Sequence, residues 1–65
     1  EKMRIDRIKL VTELARRDMT QKKLAELAGI SRATVNYIRC GKTCSDEVGK
    51  RIAEALGVNL TDIME

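Results

Sequence analysis

The stretch LAELAGISRATV, Leu24 to Val35, constrains the fold of this chain most. Its apolar residues recur at helical spacing, yet Gly29 stands in the middle, and a glycine costs about 0.8–1.0 kcal/mol relative to alanine inside a helix. Ser31, a helix-capping residue type, follows two positions later. Both signals are satisfied if one helix ends just before Gly29 and another opens at Ser31. The glycine then takes a left-handed position that other residues enter only at a cost. Ile30 plugs the corner. The pattern predicts a helix over 21–28, a tight turn of about four residues, and a second helix crossing the first.

The same punctuation runs along the rest of the chain. From Asp6 to Arg17 a broad apolar stripe of Ile8, Leu10, Val11, Leu14 and Ala15 predicts a first helix with those residues inward. Asp18 breaks the pattern, and Met19 is expected to fold back onto the core. Thr20 is placed to cap the second helix, whose inward residues are Leu24, Ala25, Leu27 and Ala28; Val35 and Ile38 are the inward residues of the third. Gly41 ends that helix. Ser45, followed by the acids Asp46 and Glu47, opens a fourth with Val48, Ile52, Ala55 and Leu56 inside, and Gly57 stops it. Gly49 has no terminal role and reads as a point of close packing. Thr61 caps a last turn carrying Ile63 and Met64. The expectation is an all-α fold, a compact bundle of four to five short helices in a single domain over 3–65, without linker, repeat or low-complexity segment.

Composition agrees. At 65 residues the chain is near the lower limit for an unaided core, and with no proline, tryptophan or phenylalanine and one aromatic, Tyr37, that core must be aliphatic. Thirteen Lys and Arg against ten Asp and Glu leave a net charge of +3, which permits a nucleic-acid partner without demanding one. No apolar run reaches the roughly 18 residues of a membrane span and no signal-peptide pattern is present, so the expected location is cytoplasmic. Catalysis has little to stand on: the chain has no histidine and no glycine-rich phosphate loop, and no base other than lysine beside a cysteine nucleophile. Cys40 and Cys44 are two thiols where zinc wants four ligands, so no metal and no cofactor are expected. They read as reduced thiols in a turn; a redox pair or a site shared between chains is the alternative.

The window MTQKKLAELAGISRATVNYIRCGK, Met19 to Lys42, resembles the Cro and phage-repressor type of helix-turn-helix DNA-binding domain, the Xre family. The matching residues are Thr20-Gln21, Leu24-Ala25, the turn Ala28-Gly29-Ile30-Ser31, Val35, Ile38 and Gly41-Lys42, and EALGVNLTDIME looks like the family's usual close. The likeness covers residues 6–65 and places the helix-turn-helix proper at about 20–40. It implies a lambda-repressor-like domain and a sequence-specific transcriptional regulator, a repressor of prokaryotic or phage type, on a palindromic double-stranded operator. Such a chain is either a whole small regulator, with Met3 as its natural start, or the head of a longer one.

In this arrangement the third helix enters the major groove, roughly 12 Å wide, with its first residues at base edges, while the helix before it rests on the backbone. With Val35 and Ile38 turned inward, the outward residues Arg32, Ala33, Asn36 and Tyr37 are the base-reading candidates. The resemblance implies base contact most directly for Arg32, Ala33 and Tyr37, although Tyr37 replaces a commonly polar amide. Each has a plainer reading: Arg32 solvated, Ala33 a helix former, Asn36 on the backbone or simply exposed, Tyr37 covering the edge of the core. Gln21, at an amide-rich helix start, leads the phosphate candidates, followed by Thr34, Lys42 and Thr43, with Lys22 after them. Arg39 reads as pairing with a carboxylate or capping carbonyls, and Arg16, Arg17, Lys50 and Arg51 as general surface charge. Two departures from the family stand out. Cys40 replaces a polar residue before the glycine, and Cys44 occupies the phosphate-approaching loop, leaving that contact to backbone amides or to Thr43.

The competing function is a protein-interaction module, such as an antitoxin with secondary DNA binding. The run from Ser31 to Thr43 contains no acid, which favours DNA. Val58, Leu60, Ile63 and Met64 offer apolar surface for a homodimer through the C-terminal segment, or else close the core.

Overall fold

The computed structural model describes residues 2–65, and each of its four α-helices opens on the side chain of a capping residue. The order is β1 (Lys2–Arg4), α1 (Arg7–Arg16), α2 (Gln21–Ala28), α3 (Arg32–Arg39), β2 (Thr43–Ser45), α4 (Asp46–Leu56) and a single 3-10 turn at Leu60–Asp62. The Asp6 carboxylate accepts from the Ile8 and Lys9 amides at 2.9 and 3.2 Å. Thr20, Ser31 and Ser45 accept from Lys23, Thr34 and Val48 at 3.1, 3.0 and 3.2 Å. Each cap satisfies amides that a helix start leaves without a partner. Gly29 ends α2 with φ +70°, and the Ile30 amide reaches back to the Ala25 carbonyl at 3.0 Å. That is the left-handed stop expected of it.

The fold is mainly α-helical, as the sequence predicts, with one addition. Thr43–Ser45 and Lys2–Arg4 form a two-stranded antiparallel sheet in the register Lys2 to Ser45, Met3 to Cys44 and Arg4 to Thr43. The segment expected to be a turn around Cys44 is therefore a strand. The chain ends are tied beside it: the Asp6 amide donates to Ile63 and the Glu65 amide to Arg4, at 2.7 and 3.1 Å.

The core is aliphatic. Ile5, Leu10, Leu24, Val35, Ile38, Ile52 and Ile63 are fully buried, with Met3, Leu14, Ala25, Ala28, Ala53 and Leu56 around them. Here the inward assignments need correction. Ile8 is 70% exposed, Leu27 52% and Val11 41%, and Ala15 is also outside. Of the wide apolar stripe on α1, only Leu10 and Leu14 are buried. On α4, Val48 and Ala55 are only partly buried, and Ala53 and Gly49 take the inner places beside Ile52 and Leu56. Gly49 is a close-packing point: a β-carbon there would overlap the Met3 sulfur and meet Leu60 Cδ1 at 3.3 Å. It is β1 and the 3-10 turn, not another α-helix, that approach. At the C-terminal end Ile63 is fully buried, and Val58, Leu60 and Met64 pack partly buried against the core. No helix among the described residues is long and apolar enough to cross a membrane.

Candidate nucleic-acid interface

Helix α3 turns Val35 and Ile38 onto the core and leaves Arg32, Ala33, Asn36 and Tyr37 exposed, so the four base-reading candidates share one outward face. Tyr37 is 56% exposed and stands outside the core whose edge it was a candidate to cover. Helices α2 and α3 pack on each other through Leu24, Ala25, Ala28, Val35 and Ile38. That contact fixes the outward face of α3 relative to the start of α2. Gln21 is the first residue of α2, half-buried, with Lys22 exposed next to it.

The two helix starts on this side share an electrostatic property that the others lack. Neither α2 nor α3 has an acid in its first turn, and each is capped by an uncharged hydroxyl. In contrast, α1 is capped by Asp6 and α4 begins with Asp46 and Glu47. The positive end of a helix dipole attracts anions. In α1 and α4 the chain supplies the negative charge; in α2 and α3 it supplies none.

Thr34 is half-buried, and its hydroxyl shares a hydrogen bond with Ser31 Oγ at 2.8 Å. Lys42 and Thr43 are exposed at the other end of α3, beyond Gly41. The antiparallel register sets Arg4 beside Thr43 and Lys2 beside Ser45, a juxtaposition that sequence reasoning missed. The alternation Lys2-Met3-Arg4-Ile5 was the available signal, since a two-residue period marks a half-buried strand.

Arg39 is corrected: it is exposed, and among the described residues no carboxylate lies within ion-pair distance of it. It lines a shallow groove with Arg7, Ile8, Val11 and Thr12. Arg16 and Arg17 both pair with Glu13, and Arg51 approaches Glu47 at 3.9 Å. Cys40 is exposed, while Cys44 is half-buried on the core side of β2. Burial, and then the nearby Asp46 carboxylate, push the Cys44 thiol above its ordinary pKa of 9.0. Among the described residues no group of three or more metal-ligating side chains comes together.

A family model for the Cro/C1-type helix-turn-helix DNA-binding domain matches residues 9–65. The chain belongs to this family. Among solved structures it is similar to the transcriptional regulator VanUg, at 32% identity and a TM-score of 0.81, covering 100% of this chain and 87% of that one. It is also similar to native PhpD with cadmium and to a point mutant of hydroxyethylphosphonate dioxygenase, both at 28% identity, with TM-scores of 0.80 and 0.82. In each of those cases the likeness covers 94% of this chain but only 13% of the other, so the chain spans a small part of their length. No curated protein sequence matches at a significant level.

Proposed function

We propose that this protein is a sequence-specific transcriptional regulator that reads the major groove with α3 and represses by occupying a promoter. The observation that carries the reading is the outward face of α3. It is exposed, it contains no acid, and it is flanked by two helix starts left free of negative charge. The full-length similarity to a regulator supports it.

Arg32, in the first turn, pairs bidentately with guanine, Ala33 touches a thymine methyl, and Asn36 and Tyr37 read or flank the next bases. Gln21 and the amides at the start of α2 hold one phosphate backbone, while Lys42 and Thr43 hold the other. Thr34 and Lys22 contribute less, since the Thr34 hydroxyl is already bonded to Ser31. Two copies on a two-fold operator, with half-sites about 34–36 Å apart, match the geometry of this motif. The half-buried Val58, Leu60 and Met64 are the tail surface open to a second copy; Ile63 is not. The proposed setting is the cytoplasm, with duplex DNA in reach, and no cofactor takes part.

A second reading, a protein-interaction module, is favoured by one observation. A matching domain is also found within a much longer chain, a hydroxyethylphosphonate dioxygenase, and a shared fold does not imply a shared function.

Fluorescence anisotropy on a duplex selected from a randomised pool, with and without random competitor, separates the two. Arg32→Ala is expected to weaken the selected duplex by about 1–3 kcal/mol while random DNA is bound as before. Equal loss on both duplexes, or no loss, removes Arg32 from the reading set.

A further inference from the structure

We infer that the open face of the β1–β2 sheet is a second phosphate-binding surface, on which Arg4, with Lys42 and Thr43, clamps the DNA backbone beyond the C-terminal end of α3. The inference rests on the proposed reading of α3 as the recognition helix.

The pleat separates the two faces of this small sheet. Met3 and Cys44 oppose each other on the side turned to the core, Met3 lying against Gly49. Lys2, Arg4, Thr43 and Ser45 are all exposed on the other side. Directly opposed residues of an antiparallel pair have Cβ atoms about 4.5–5.5 Å apart. Arg4 is therefore a near neighbour of Thr43, although the two are far apart in sequence. Thr43 in turn comes two residues after Gly41, which stops α3, so the open face begins where the recognition helix ends.

A helix lying in the major groove has a phosphate backbone on each side of it. The start of α2 serves one strand. The ground beyond Gly41 is the ground that meets the other, and on it the chain sets Lys42 and Arg4; Arg4 shares a groove there with Arg7, Gly41, Asp6 and Glu65.

Among the described residues the acids nearby do not neutralise this row. Asp6 spends its carboxylate on the Ile8 and Lys9 amides. Glu65 approaches Arg4 at 3.9 Å, with both side chains 52% exposed, the long and solvated kind of pair that holds an arginine weakly. Asp46 and Glu47 follow Ser45, at the Lys2 end of the sheet, which places the anion site at the Arg4 end. Because Arg4 sits on a paired strand rather than a free arm, its backbone is already ordered when DNA arrives.

The test is the salt dependence of binding, measured by anisotropy on a selected duplex and on a random one. Arg4→Gln should lower the slope of log affinity against log salt by about one, and should weaken both duplexes by the same factor. Arg4→Lys should keep the slope, and Lys50→Gln, the same change of charge on α4, should leave it at the wild-type value. Circular dichroism and melting of each variant confirm that β1 is intact. An unchanged slope in Arg4→Gln, or an equal fall in Lys50→Gln, overturns the clamp. If Arg32→Ala still loses discrimination in that case, the reading of α3 survives without it. A wild-type protein that binds neither duplex overturns both.

Discussion

Single residues decide where this chain turns. Gly29 holds φ at +70°, and a side chain there would bring its β-carbon to within 3.3 Å of the Arg51 guanidinium, a flexible group able to move aside. The cost of substitution is thus conformational rather than steric. Gly29→Ala should destabilise the fold by about 1–2 kcal/mol in urea denaturation. The turn after α1 is made differently: Asp18 takes the left-handed position at φ 50°, and the Met19 amide closes back on Leu14 at 2.9 Å. The sequence announces the stop at Gly29 by residue type. At Asp18 it shows only a break in the stripe, because aspartate enters that conformation without being diagnostic of it. The cysteines also differ at this scale. Cys44 is half-buried and its pKa is raised, so at pH 8 less of it is thiolate than of an ordinary thiol. Timed alkylation followed by mass mapping should label the exposed Cys40 first, with the Cys44 rate still climbing as the pH passes above 9.0, where that of an ordinary thiol levels off. Faster labelling of Cys44 at pH 8 contradicts this.

At the scale of elements, the helices were legible because their caps and stops are local. Thr20, Ser31 and Ser45 bond to amides three residues ahead, and no distant partner is needed to see them. The sheet was not legible in the same way. Each strand has three residues, and β2 becomes a strand only because β1, at the other end of the sequence, lies beside it. The facing of α1 failed for a related reason. Periodicity shows which residues are apolar, but the partner surface decides how many of them are covered. Ile8 and Leu10 make the distinction measurable. Ile8→Gln should change stability by no more than about 0.5 kcal/mol, as an exposed substitution does. Leu10→Ala should cost about 2–5 kcal/mol, the usual range for a fully buried leucine. Similar losses at both positions would mean that α1 is rotated from the orientation described.

For the whole molecule, the proposal joins the α2–α3 pair, the turn after α3 and the open face of the sheet into one DNA-facing side, with α4 packed against α2. The candidate reading face was legible in outline, since Val35 and Ile38 fix which residues of α3 point away. What was not legible was the position of Arg4 beside Thr43, which depends on a pairing that spans most of the chain. Whether α3 reads sequence decides the proposed function. The measurement that bears on it most directly is selection of bound DNA from a fully randomised duplex pool by the purified protein, followed by sequencing. The expected result is enrichment of an inverted repeat whose half-sites are one helical turn apart, about 10–10.5 base pairs centre to centre, and loss of that motif with Arg32→Ala. A folded protein that enriches no motif would contradict it, and the helix-turn-helix would then be a scaffold for something other than sequence recognition.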